Sequence, residues 1–327
     1  MIQRIYRKKE FPIPPLLELI VDRWTTLIVR EIFFDVHRFE QLYNNLGISR
    51  NILSVRLQHL VEAGILELKR YNDYPARFEY HFTKKGLDLY PFISTLKKWG
   101  DKWLTGKNGP PQVVYHNLCK HVFVPVAICS YCSQEIKIGE INYEEKSKVK
   151  YFGGGRLLDS RKRKPSKKVR QVQDICTVEG TLNVIGDRWT FSILREAFLD
   201  NRRFEQFYNE LGISRSILSS RLKDLVRNGI FTKHRYLDNP SRYEYRLSKK
   251  GLDIFPTILA SICWENRWRV YDDKPPLLLR HTACNHTCDV IIICAQCGVE
   301  IQAHEIKYVK LRHCLKGKNG HKKKSLN

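Results

Sequence analysis

A chain of 327 residues, of which 43% are hydrophobic and 11% aromatic, can build two or three packed domains, so its composition excludes a disordered protein. Lys and Arg outnumber Asp and Glu by 57 to 34, and the formal charge of +23 favours a polyanionic partner, above all nucleic acid. Without a signal-like segment or a long apolar run, the sequence predicts a cytoplasmic protein with no membrane contact. Ten Cys in that setting indicate metal sites or reactive thiols rather than structural disulfides.

Most of the chain is an internal duplication, because equivalent residues stand 165 positions apart without a gap. Residues 38–65 and 203–230 are identical at 20 of 28 positions, far more than shared secondary structure alone would give. The period is much longer than the roughly 20 to 50 residues of stacked repeat arrays, so it indicates a duplicated domain. Copy one comprises a domain over 1–108 and a Cys/His-rich segment over 109–145, and a basic flexible linker over 146–172 follows it. Copy two comprises a domain over 173–273 and a Cys/His-rich segment over 274–311. A basic tail covers 312–327.

Each copy begins with three helical patterns followed by a hairpin pattern. Asp22 is placed to cap the first helix, Gly47 to end the second and Ser49 to cap the third. Two segments in which apolar and polar residues alternate flank the turn residues NDYPA and predict a β-hairpin. The hairpin completes a winged helix-turn-helix. A Trp- and Leu-rich helix follows, with more apolar surface than one small domain needs. The predicted fold is therefore mainly α with small β wings (α+β), with two tandem winged helix-turn-helix domains that form an intramolecular pseudo-dimer, each followed by a small ribbon-like segment.

On the third helix, the residues that differ between the two copies form a stripe along one side. The positions that differ between the copies fall on one side at about 3.6 residues per turn, opposite the unchanged apolar positions. In a helix-turn-helix this exposed side presents its N-terminal residues to base edges in the major groove; random drift of surface positions is the alternative. The absence of Asp and Glu near the helix start favours DNA contact. The candidate DNA-binding residues are Ser49, Arg50, Asn51, Ser54 and Gln58 in copy one, and Ser214, Arg215, Ser216, Ser219 and Lys223 in copy two.

The predicted hairpins add basic side chains, among them Arg77 in copy one and Arg242 in copy two, that would approach the DNA backbone or the minor groove. Two such domains, held together by their terminal helices, would bind two half-sites about one helical turn apart. Because the two stripes differ, the sequence predicts an imperfect palindrome or two unlike half-sites.

These motifs resemble the HxlR-type helix-turn-helix family of bacterial transcriptional regulators, relatives of the MarR group. The matching pieces are IGDRWTFSILREAFL, RRFEQFYNELGISRSILSSRLKDLVRNGI, YLDNPSRYEYRLSKKGLDIFP and CNHTCDVIIICAQCG, with their equivalents in copy one. The resemblance implies a winged-helix fold, dimerisation through terminal helices, and binding to double-stranded promoter or operator DNA. It also implies action as a repressor that responds in some members to a small electrophile or oxidant.

The tandem arrangement departs from the family, whose members are ordinarily single-domain homodimers, so the chain could act as a monomer that is its own pseudo-dimer. Several members carry a sensing Cys just ahead of the first helix. The equivalent positions here are Phe11 and Cys176, which excludes a symmetric disulfide across the internal pair. Cys176 is the redox-sensor candidate by this resemblance, and a buried inert thiol is the alternative.

Each copy also contains the pattern His-x2-Cys-x-His-x7-Cys-x2-Cys. Zn²⁺ prefers a closed tetrahedron of such donors, so we predict two structural zinc sites and no organic cofactor; free or redox-active thiols and ordinary buried Cys are the alternatives. The choice between the two His of each copy stays open, and Cys288 competes in copy two. Gly298 follows the Cys-x2-Cys pair of copy two, whereas Ser133 follows that of copy one. The serine should weaken the metal site formed by the copy-one pair. The predicted ligands are Cys119, His121, Cys129 and Cys132, and Cys284, His286, Cys294 and Cys297.

An enzyme is the first rival interpretation. The sequence shows no nucleophile elbow, phosphate loop, His-Glu-x-x-His helix or paired carboxylates, so we expect no catalytic activity. The second rival is a thiol- or metal-sensing nucleic-acid-binding module without strong sequence specificity. The favoured hypothesis is a sequence-specific transcriptional regulator of the repressor type that contacts two unlike half-sites with one recognition helix from each copy.

Overall fold

The computed structural model describes residues 19–106, 109–145, 176–239, 241–268, 277–302 and 305–310. The predicted linker, the basic tail and Phe11 lie outside the described residues. Within those ranges, no helix combines the length and the apolar character that crossing a bilayer requires.

Copy one folds into the predicted winged helix-turn-helix, and polar or glycine residues set the helix ends. The Asp22 carboxylate accepts a hydrogen bond from the Trp24 amide, and the Ser49 hydroxyl accepts one from the Ile52 amide. Gly47 ends the second helix with φ 61°, a left-handed conformation. The elements are α1 (Arg23–Phe33), α2 (Phe39–Leu46), α3 (Arg50–Glu62), β1 (Leu66–Asn72), β2 (Arg77–Phe82), α4 (Lys84–Leu87), α5 (Tyr90–Trp103), β3 (Gln112–His116), β4 (Pro125–Cys129) and β5 (Ile141–Glu145).

Copy two repeats this order behind one additional helix, α6. The residues of copy one that correspond to α6 lie mostly outside the described ranges. The elements are α6 (Thr177–Ile185), α7 (Arg188–Phe198), α8 (Phe204–Leu211), α9 (Arg215–Arg227), β6 (Phe231–Leu237), β7 (Arg242–Leu247), α10 (Lys249–Leu252), α11 (Phe255–Arg267), β8 (Leu277–His281), β9 (Val290–Cys294) and β10 (Ile306–Lys310).

The hydrophobic core runs continuously through both copies. In α3, the predicted inner positions Leu53, Leu57 and Leu60 are at most 1% exposed, and their equivalents in α9 are buried to the same degree. The core-facing side of α3 and α9 is therefore confirmed at these positions. Ile52, another of the unchanged apolar positions, is half-buried, and its equivalent Ile217 is 38% exposed. In the opposite stripe of α3, Asn51 and Gln58 are exposed, and Val55 and His59 are half-buried. Each wing is a two-stranded antiparallel sheet, β1 with β2 and β6 with β7.

The terminal helices α5 and α11 pack against each other, and each also makes reciprocal contacts with the short helix that precedes the other, which confirms the predicted pseudo-dimer. The Trp99 indole N–H donates to the Lys250 carbonyl at 2.9 Å, and the Trp264 indole N–H donates to the Lys85 carbonyl at 3.0 Å. Each contact is the other shifted by the repeat offset, as in a two-fold symmetric interface. Trp103 with Asp253 and Trp268 with Asp88 form a second reciprocal pair.

The two Cys/His-rich segments interlace, which differs from the expectation of one self-contained ribbon per copy. All three named strand pairs in this region join the copies: β3 with β10, β4 with β9 and β5 with β8, each antiparallel. Within one copy, the described residues show only isolated bridges such as Tyr115 with Val122. The sequence does not distinguish the two arrangements, because the same alternating strands can pair within a copy or between copies.

Candidate nucleic-acid interface and metal centres

The starts of α3 and α9 form the candidate DNA-contacting surface. The hydroxyls that cap both helices, Ser49 and Ser214, also lie at the exposed end of each stripe. The structure leaves nearly all the candidate side chains open to solvent, and Ser219 is half-buried. The exposed ones are Ser49, Arg50, Asn51, Ser54, Gln58 and Arg77, and Ser214, Arg215, Ser216, Lys223 and Arg242.

Both candidate base-contacting arginines are held by a glutamate of the preceding helix. The two terminal nitrogens of Arg50 donate to the Glu40 carboxylate at 2.6 and 2.7 Å, and the guanidinium lies 4.6 Å from the Tyr43 ring centroid. Arg215 makes the same contacts with Glu205, at 2.7 and 2.9 Å. The guanidiniums are thus ordered before DNA arrives, but their paired donors are already engaged.

The wing of copy two lies close enough to this arginine to share its electrostatics. Hydrogen bonds from Arg215 lower the pKa of the Glu205 carboxyl, and the charge of Arg242 at the start of β7 acts in the same direction. The start of α9 and the start of β7 therefore lie near the same carboxylate. Sequence reasoning missed Glu40 and Glu205, although the repetition of a Glu ten residues before each Arg was a visible signal.

Six cysteines and two histidines lie in two compact clusters, and each cluster contains residues of both copies. Group A contains His116 and Cys119 of copy one with Cys294 and Cys297 of copy two. Group B contains Cys129 and Cys132 of copy one with His281 and Cys284 of copy two. In each group the donor atoms lie within 4.8 Å of one another. Either group could hold a metal ion.

Two of the predicted ligands stand apart from these groups. His121 is exposed, and only its backbone carbonyl is engaged, by the His116 amide at 3.0 Å. His286 is also exposed and stacks on Tyr131. The imidazoles of His116 and His281 take the fourth position instead, because each ends a paired strand, β3 or β8, that directs it inward. Cys288 is buried outside both groups, where its carbonyl accepts from the Cys263 thiol.

The donor spacings match those of a tetrahedral zinc site. With Zn–S of about 2.3 Å and Zn–N of about 2.0–2.1 Å, sulfur atoms lie about 3.8 Å apart, and sulfur and nitrogen about 3.5 Å apart. In group A, His116 Nδ1 lies 3.3 Å from Cys119 Sγ and 3.4 Å from Cys297 Sγ, and Cys119 Sγ lies 4.0 Å from Cys294 Sγ. The corresponding separations in group B are 3.5, 3.3 and 3.9 Å. Three thiols and one imidazole therefore fit zinc in both groups.

The surroundings of the two imidazoles also fit a metal. His116 and His281 are fully buried, and each turns Nδ1 toward thiol sulfurs. Their Nε2 atoms have no hydrogen-bond partner among the described residues. The Glu140 carboxylate lies 3.9 Å from Nε2 of His281, on the side away from the sulfurs, where a carboxylate commonly orients a metal-binding histidine.

The first cysteine of each Cys-x2-Cys turn has its pKa lowered, whereas burial and the neighbouring thiols of Cys294 and Cys119 raise the pKa of Cys297. Burial alone would raise the pKa of Cys129, but the backbone N–H groups of Cys132 and Tyr131 point at its sulfur and lower the pKa overall. Cys294 has its pKa lowered in the same way. After the turns, Ser133 has φ 58° and Gly298 has φ 71°, so the serine of copy one adopts the left-handed conformation that glycine adopts in copy two.

Cys176 lies at the junction of the copies, immediately before α6, and is 8% exposed. Helix α6 packs against α1 and α5 of copy one, which brings Cys176 near the buried guanidinium of Arg30. Burial alone would lower the pKa of Arg30, but the negative charges of an ionised Cys176 and of Glu31 outweigh it and raise that pKa. Two guanidinium nitrogens of Arg30, Nε and Nη1, have no hydrogen-bond partner in the described part of the chain.

Comparison with known proteins identifies relatives of both domains. The model of the HxlR-like helix-turn-helix family matches residues 19–108 and 184–273. An uncharacterized HTH-type transcriptional regulator of Mycobacterium tuberculosis is 44% identical over 128 residues, 39% of this chain and 81% of the relative. A second, of Synechocystis sp., is 34% identical over 94 residues, 28% of this chain and 70% of the relative. The solved structure of the redox regulator HypR in its oxidized form is 32% identical, with a TM-score of 0.26, and covers 28% of this chain and 96% of that one.

Proposed function

Because the chain belongs to the HxlR-like helix-turn-helix family, a family of transcriptional regulators and not of enzymes, we propose that it binds specific double-stranded DNA at promoters and represses transcription. The observation that carries this proposal is the pair of exposed, unlike recognition helices on one packed pseudo-dimer. In this proposal α3 contacts one half-site and α9 the other, and the wings contact the DNA backbone.

Selection of binding sites from a random duplex library tests the proposal. We expect an imperfect palindrome or two unlike half-sites about one helical turn apart. Arg215→Ala should relax the base preference in one half-site by about 1–3 kcal/mol, and Arg50→Ala should do so in the other half-site. Equal weakening on every sequence would assign these side chains to phosphate contacts. A library without enrichment, together with a steep salt dependence, would contradict specific binding and favour a general nucleic-acid-binding module.

The repressor role has its own test. A reporter gene is placed behind a promoter that contains the selected site, and its transcription is compared with and without the protein. We expect lower transcription with the wild-type protein and no change with Arg50→Ala/Arg215→Ala. Higher transcription with the wild-type protein would identify an activator and contradict repression.

We also propose that groups A and B hold structural Zn²⁺. Four protein donors close each tetrahedron, and a closed site leaves no position for a substrate or a reactive water, so the ions would order the chain rather than catalyse a reaction. Thiolates from the two Cys-x2-Cys turns would carry most of the ligand charge.

For the effector, we propose a small electrophile or oxidant that reacts with Cys176, because this thiol lies beside the buried guanidinium of Arg30 at the junction of the two copies. Treatment with N-ethylmaleimide, whose alkene carbon the thiolate would attack, should release DNA from the wild-type protein and not from Cys176→Ser. Metal content is measured in parallel, since the thiols of groups A and B also react. Equal release from Cys176→Ser would contradict the role of Cys176.

A further inference from the structure

The metal groups have an arrangement that neither copy could produce alone. Each joins one His-x2-Cys pair to the Cys-x2-Cys turn of the other copy, and the two exchanges are reciprocal. The His116 and His281 ends belong to β3 and β8, which pair with β10 and β5 of the opposite copy. Both the strands and the ligands therefore cross between the halves of the chain.

The metal groups also adjoin the helices that hold the domains together. Helix α5 packs against α11 and also against β4 and β9, the central strand pair of the interlaced segments. Strand β4 ends at Cys129 of group B, and β9 ends at Cys294 of group A. A ligand set that pulls these strand ends together thus lies directly beneath the domain interface.

We infer that the two metal ions are cross-links between the copies, and that metal binding fixes the relative placement of the two recognition helices. Without metal, each group would leave three thiols and a fully buried imidazole beside one another with no charge to hold them. The interlaced strands are short, five residues each, so the ions supply much of the order in this region. The cross-linking rests on the proposed zinc sites, and the consequence for DNA rests on the proposed binding to specific DNA.

Metal counting in two matched variants of the full chain tests the cross-links. The first variant removes all of group A by His116→Ala, Cys119→Ser, Cys294→Ser and Cys297→Ser. The second removes the same number of ligands from copy two alone by His281→Ala, Cys284→Ser, Cys294→Ser and Cys297→Ser. Wild-type protein, loaded with Zn²⁺ and dialysed, should show two ions per chain by native mass spectrometry.

The expected result is one retained ion in the first variant and none in the second, because the second leaves two ligands in each group. If each metal site took all four ligands from one copy, the second variant would retain one ion and the first variant none. That result would overturn the inference. A wild-type chain without bound Zn²⁺ would overturn it as well. An ion retained by the first variant cannot arise from misfolding, so this readout does not depend on how stable the second variant is.

Binding to DNA tests the consequence. Removal of Zn²⁺ from the wild-type chain should weaken binding to a duplex with both selected half-sites by about 100-fold, because the second helix loses its fixed position near the first. Binding to a duplex with one half-site should change by less than about threefold by the same argument. Equal effects on both duplexes would overturn the coupling while leaving the metal count intact. Absence of specific binding with metal present would instead contradict the proposed function.

Discussion

Arg30 of copy one and Arg195 of copy two occupy equivalent buried positions, yet they meet different groups. Arg195 lies 3.5 Å from the Glu265 carboxylate on α11. The residue equivalent to Glu265 in copy one is Gly100, and there α6 fills the space, with the Thr177 carbonyl and the Thr181 hydroxyl against the glycine. The copies have therefore diverged where α6 docks.

This difference shows that one duplicated fold can serve two purposes. In copy two a glutamate neutralises the buried guanidinium and makes the position purely structural. In copy one the missing carboxylate leaves room for α6 and places Cys176 near Arg30. A symmetric pair of buried arginines has become one structural ion pair and one candidate thiol site.

The largest effect is expected from Glu265→Ala, which removes the carboxylate 3.5 Å from the buried guanidinium of Arg195. We expect the free energy of unfolding in urea to fall by about 3 kcal/mol. Glu40→Ala is the control, because the Glu40–Arg50 ion pair is exposed. Loss of this pair should lower the free energy of unfolding by less than about 1 kcal/mol. Similar losses in the two variants would show that the Arg195–Glu265 pair is not the main counter-charge.

Gly100→Ala should have the next largest effect, because an added Cβ would overlap the Thr177 backbone and push α6 away from α5. We expect a loss of about 1–3 kcal/mol in unfolding free energy and faster alkylation of Cys176. Gly106→Ala is the matched control, since its Cβ would meet open space. An unchanged alkylation rate in Gly100→Ala would argue against α6 as the cover of Cys176.

The residues that follow the two Cys-x2-Cys turns, Ser133 and Gly298, can each be replaced by the residue of the other copy. Ser133→Gly should stabilise the metal-loaded protein by about 1 kcal/mol, since glycine adopts the left-handed conformation without steric cost, and Gly298→Ser should destabilise it by a similar amount. The thermal unfolding midpoint measures both changes. Changes of the same sign would show that the two turns are not equivalent.

The smallest effect is expected at the recognition helix. Glu205→Gln weakens the hold on Arg215 and removes a negative charge from the DNA-facing surface, so affinity for the selected duplex should rise by about threefold. Asp200→Asn removes the same charge beside Arg202 instead, and fluorescence anisotropy compares the two. If both variants gain equally, the effect is one of net charge and not of a released arginine.

Local features could be predicted from the sequence because neighbouring residues determine them. Asp22, Gly47 and Ser49 set helix ends through contacts within three or four residues, and the buried side of α3 follows from its apolar spacing. The metal groups could not be assigned in this way. The contacts of His281 with Cys132 and of His116 with Cys297 join residues that are 149 and 181 positions apart. A pattern repeated in both copies does not reveal which half completes which site.

The crossed ligand sets also constrain how the protein is made. Translation delivers His116, Cys119, Cys129 and Cys132 long before any of the residues that complete their sites. If the proposed ions bind, neither can reach its full coordination until the ribosome has passed Cys284 for one group and Cys297 for the other. The nascent first half would then have to keep four donors available, and metal insertion would follow synthesis of the second half.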